Sequence, residues 1–203
     1  MAFWRGRKER KRTAERTDRL VSVVRALSVD DGERVTRLEQ RRLEIAGCCK
    51  RASALARLLE GELTKLEKLV DDFLALSLSR SRCESIVRGA AAADLEAELR
   101  SAEEAAARAM DAERRELARL NLDVLCARRD KIDELRAHVG RLRAQLDLIE
   151  NTFKLVADEV REMEVTQVTG GPGAIGKKLE EVLEGVELVR AIEKDRRQML
   201  GLE

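Results

Sequence analysis

Between Ile132 and Met163 two interleaved series of apolar residues each recur every seven positions. Ile132, Val139, Leu146, Phe153 and Val160 form one series, and Leu135, Leu142, Ile149, Val156 and Met163, offset by three, form the other. This is the a and d pattern of a helix that packs lengthwise against other helices. At about 1.5 Å per residue the stripe is roughly 48 Å long, and only other helices can bury it. The chain is therefore expected to be all-α, with these ten residues as its helix-packing seam.

Composition agrees. Charged residues make up 39% and aromatics 2%, and there is one proline. Aromatic bulk is scarce, so the apolar surface must be buried by long helices rather than by a compact mixed core. The 40 basic and 39 acidic residues nearly cancel, so net charge argues against a nucleic-acid partner. No apolar run is long enough to span a bilayer, and residues 1–12 lack the apolar core of a secretory signal. A cytoplasmic location is expected. Cys48, Cys49, Cys83 and Cys126 show no paired CxxC spacing and read as reduced thiols. His138 is the one histidine, so no metal site and no cofactor is expected.

Residues 1–12, MAFWRGRKERKR, form a basic tail with an aromatic tip. Phe3 and Trp4 suit the headgroup boundary of a bilayer, and Arg5, Arg7, Lys8, Arg10, Lys11 and Arg12 suit its anionic surface. Membrane contact through these eight residues is one reading, a soluble basic tail or one docked on the rod a second, and non-specific nucleic-acid contact a third. Residues 13–168 read as a helical hairpin. A short helix over Thr13–Leu27 is followed by Ser28 and Asp31, which have the spacing of a capping box. One long helix is then expected from Val29 to about Arg88, with Leu38, Ile45, Ala52, Leu59, Leu66 and Phe73 on its seam. Arg42 falls in a core slot, and Ala52 and Ala56 leave the middle thin.

The reversal is expected near 88–94, where Gly89 can end one helix and Asp94 can cap the next; because Ala90–Ala93 favour helix, a single unbroken helix through this region is the alternative. A third helix, Leu95 to Thr166, would carry Leu117, Leu120, Val124 and Ala127 as an earlier part of the seam. Folding about that turn sets Phe73 opposite Arg108, and the seam then outruns its partner beyond about residue 150. Either the first helix or the last must cover Ile149–Met163. Residues 169–176 form a hinge containing Gly170, Gly171, Pro172 and Gly173, and 177–203 an amphipathic C-terminal helix. That helix is expected to pack back along the rod.

Gly171–Lys178, GPGAIGKK, has the Gly-x4-Gly-Lys spacing of a phosphate-binding loop. Lys178 stands where the loop needs a hydroxyl, and no alternating strand and helix pattern surrounds it, so it reads as a hinge. His138 reads as a flanking residue, and Asp71–Asp72 and Glu103–Glu104 as solvated neighbours on helices. No catalytic residue is assigned and no enzyme is expected.

The expected layout is a long antiparallel coiled-coil hairpin with short N- and C-terminal helices packed at its open end. With Phe3, Trp4 and Arg5–Arg12 before a hairpin over Val29–Thr166, the arrangement resembles the ESCRT-III and phage-shock-protein-A group of membrane-remodelling proteins. The resemblance implies polymerisation on membranes. The function expected is a scaffold that self-associates and contacts anionic membrane, peripheral to the inner face. The alternative is a soluble adaptor that binds another coiled-coil protein through the exposed seam or the C-terminal helix. The alanine- and arginine-rich usage points to a bacterial source.

Overall fold

The computed structural model describes residues 16, 18, 20–25, 27–51, 59–92, 94–166 and 172–199. It is all-α. Residues 20–24 are helical, and five helices follow: α1 (Val29–Arg51), α2 (Glu60–Ala92), α3 (Leu95–Arg108), α4 (Ala112–Thr166) and α5 (Pro172–Met199). They fall into two compact units. One combines residues up to Leu78 with those from Ala144; the other is Ser79–Arg143.

The first unit is a bundle of four helices, and the ion pairs between them report their directions. Arg42 meets Glu67 at 2.9 Å, and the Arg34 guanidinium lies 5.3 Å over the Phe73 ring. A rise along α1 thus matches a fall along α2, and the two are antiparallel. Arg34 pairs with Asp147 at 2.7 Å and Glu150 at 2.8 Å, while Arg161 lies 3.8 Å from Glu44. These contacts make α1 and α4 parallel. Lys65–Glu180, Lys68–Glu187 and Asp72–Arg190 lay α5 parallel to α2. The C-terminal helix therefore packs back onto the bundle.

The core explains the order. Leu38 and Ile45 of α1, Leu66, Leu69, Val70, Phe73 and Leu76 of α2, Leu146, Ile149, Phe153 and Val160 of α4, and Ile175, Leu179 and Val186 of α5 are all buried. Burial of these side chains against one another is the main favourable term, at about 1.5–3 kcal/mol for each large residue. Arg42, in its core slot, is satisfied by Glu39 at 2.8 Å and Glu67 at 2.9 Å. A buried charge without such partners would be costly.

The single helix expected over Val29–Arg88 is corrected: α1 and α2 are antiparallel partners, and residues 52–58 between them lie outside the described residues. Leu38, Ile45, Leu59, Leu66 and Phe73 keep one seven-residue phase through that change of direction and all are buried. Periodicity alone does not reveal a reversal that preserves it.

In the second unit, Arg143 pairs with Glu84 at 2.8 Å and Arg128 with Glu98 at 3.1 Å. The end of α2 and all of α3 therefore run in the same sense, antiparallel to α4. The expected reversal at 88–94 is corrected to the break at 109–111. Asp94 does cap α3, accepting the Ala97 N–H at 3.3 Å, but the chain continues in the same sense beyond it. At the true turn Asp111 Oδ1 accepts the Glu113 N–H at 3.2 Å. Arg115 donates from Nε at 3.3 Å and from Nη2 at 3.0 Å to the Ala109 carbonyl. An N-cap and a side-chain clamp on an orphan carbonyl close this turn without glycine or proline.

The hinge is corrected too. α5 begins at Pro172 and includes Gly173 and Gly176. Proline suits the first helical position, where its missing N–H is not needed. Buried Ile175 anchors that first turn. Gly170 and Gly171 lie outside the described residues.

Candidate functional site

Of the ten seam residues, Ile132, Val139, Leu142, Leu146, Ile149, Phe153, Val156 and Val160 are buried, and Leu135 and Met163 are half-buried. The earlier part of the expected seam is exposed instead. Leu117 is 62% accessible, Leu120 53% and Val124 66%. Ala127 is exposed as well. At i, i+3, i+7 and i+10 these four residues share one face of α4.

The exposure follows from the architecture of this unit. Among the described residues α4 meets α3 along this stretch, and Ala118, Leu122, Leu125 and Ile132 are its less exposed apolar face. Leu122 and Leu125 are half-buried, and Ile132 lines a 300 Å³ cavity with Leu95 and Leu99 of α3. At 100° per residue the exposed stripe lies about 140° round the helix from that face. A single partner helix does not reach both. Contiguous exposed apolar side chains flanked by charges mark interaction surfaces. Glu116, Asp123 and Asp130 run along one edge of the stripe, and Arg114, Asn121 and Arg128 along the other.

The chemical candidates occupy structural roles. His138 is buried within α4, not on a flank. Asp71 is exposed, as expected, but Asp72 is buried. Asp72 Oδ1 takes a 2.6 Å ion pair from Arg190, and Oδ2 has no hydrogen bond among the described residues. Burial pushes its carboxyl above the ordinary value, with Arg190 and Lys68 opposing. Arg34 shows the reverse balance. Burial works against its charge, but Glu150 and Asp147 outweigh it and hold the guanidinium above its usual range. Burial also raises the Cys49 thiol, which keeps it protonated and inert.

Gly176 and Lys177 lie within the first turns of α5, and Lys178 reaches toward Glu181 at 3.9 Å. Pro172–Lys178 of the phosphate-loop spacing thus belong to α5. A Cβ at Gly176 would stand 2.7 Å from Glu62 Oε1, so the residue there serves close helix approach. Among the described residues no His, Cys, Asp and Glu side chains group as metal ligands, and no helix is long and apolar enough to cross a membrane. Phe3, Trp4, Arg5, Arg7, Lys8, Arg10, Lys11 and Arg12 lie outside the described residues.

No known family, characterised protein or solved structure matches this chain.

Proposed function

We propose that this chain is a non-enzymatic helical scaffold that self-associates, and that its basic, aromatic-tipped tail holds it against anionic membrane. The observation carrying self-association is the exposed stripe Leu117, Leu120 and Val124 on α4. α3 does not cover it, and a further helix would. The tail's part rests on residue chemistry: Phe3 and Trp4 ahead of six basic side chains. Membrane remodelling of the ESCRT-III and phage-shock-protein-A kind is the process that layout fits.

Mass measured by light scattering across a concentration series tests the first part, and the expected result is a mass that rises with concentration. Flotation with anionic vesicles tests the second. The full chain is expected to float, and a Phe3→Ala, Trp4→Ala double variant to lose most of that recovery. Equal recovery of both would remove the anchor.

One observation favours the adaptor reading. On α5, Leu188 and Ile192 are exposed at i, i+4 spacing while Leu179, Val182 and Val186 face the core. A helical partner bound there would be lost on Leu188→Glu. Deleting α5 is not a usable test, because its inner face is part of the bundle.

A further inference from the structure

We propose that residues 112–131 of α4 pair in parallel and in register with the same segment of a second copy of this chain. The inference rests on the self-association reading above and adds the surface, the partner and the orientation. Leu117 and Val124 take the a positions, and Leu120 and Ala127 the d positions, of a two-stranded seam. Lys131 and Glu134 then end it, since charged residues replace the next a and d.

The flanking charges select the orientation. Glu116, Asp123 and Asp130 occupy the g positions, and Arg114, Asn121 and Arg128 the e positions. In a parallel pair each g faces the e five residues on in the other chain. Asp123 meets Arg128 of the second copy, and Glu116 accepts a hydrogen bond from its Asn121; twofold symmetry repeats both contacts. In an antiparallel pair g faces g and e faces e, which sets acid against acid in every register and, at full overlap, Arg114 against Arg128. Repulsion excludes that arrangement.

Arg128 is available for this. One of its terminal nitrogens holds Glu98 at 3.1 Å while its side chain is 44% exposed, and a guanidinium has five donors. Leu122 and Leu125, turned toward α3, do not compete for the stripe. Two heptads bury less than the roughly 1,000 Å² of a stable pair, so the association is weak and concentration-dependent.

The test is sedimentation equilibrium of the full chain from low to high micromolar concentration, for wild type, Val124→Glu and Asp123→Arg. Both substitutions are on exposed positions, and matched helical circular dichroism and melting confirm the fold. Wild type is expected to dimerise, Val124→Glu to weaken dimerisation at least tenfold, and Asp123→Arg to weaken it severalfold by opposing Arg128 of the second copy. A wild type that stays monomeric overturns self-association itself. Dimerisation untouched by Val124→Glu leaves self-association standing and overturns this surface. Weakening by Val124→Glu without weakening by Asp123→Arg removes the contact to Arg128 of the second copy and overturns the parallel orientation.

Discussion

Asp72 carries a buried carboxylate, whereas Arg190 opposite is part-exposed. Its folded pKa is raised by burial, so the native state holds the proton more tightly than the unfolded chain does. This group's contribution is therefore most favourable at low pH, and stability falls as pH rises from the ordinary carboxylate range through the raised value. Asp72→Asn removes the titration. Its stability relative to wild type, from urea melts at several pH values, should be highest at neutral pH and should shrink as pH falls. Arg190→Gln strands the buried carboxylate instead, and should cost on the order of 2 kcal/mol at neutral pH. The seven-residue pattern read Asp71–Asp72 as solvated, because α5 covers Asp72 from more than a hundred residues away. Glycine offers a second contrast. Gly140 meets nothing within 4 Å of an added Cβ, whereas Gly176 meets Glu62. Gly140→Ala should stabilise by about 0.5–1 kcal/mol, and Gly176→Ala should gain less or lose, as read from thermal melts.

Among elements, α4 combines two environments in one helix. Phe153 is fully buried, so Phe153→Ala should cost about 3–5 kcal/mol by leaving a cavity. Leu117→Ala should stay within about 0.5 kcal/mol, because its side chain already meets water. Denaturant midpoints of the two variants check this contrast. The sequence showed that both residues belong to apolar stripes of one long helix. It did not show which stripe had partners, since periodicity reports a face and not its neighbour. Turns divided in the same way. Ser28 and Asp94 were readable as caps, and Ser28 Oγ does accept the Asp31 N–H at 3.2 Å. The reversal at 109–111 has no glycine or proline, and its signal was Asp111 followed by acidic Glu113 in the first turn of α4. The alanine-rich stretch before it looked like continuous helix, because alanine favours helix wherever the chain goes.

At the scale of the whole molecule, the chain builds a four-helix unit and a unit in which α4 pairs first with α3 and then with the end of α2. Amides of residues 79–143 should exchange with solvent faster than those of α2 and α4 within the bundle, since fewer buried contacts hold them closed. Hydrogen exchange followed by mass spectrometry measures this. Uniform protection along α4 would count against the division. Self-association at the Leu117 face should slow exchange there at high concentration. By itself the sequence determined the all-α class and the buried face of α4 from Ile132 onward, and it left the last helix free to pack back or to bind a partner. The class and the face follow from local periodicity and from the need to cover apolar side chains. Only the tertiary structure decided where the chain reverses, which helices run parallel, that Asp72 and His138 are buried, and that Leu117, Leu120 and Val124 are left open. Those depend on which distant segment arrives at a given face, and a seven-residue repeat is the same whichever segment arrives.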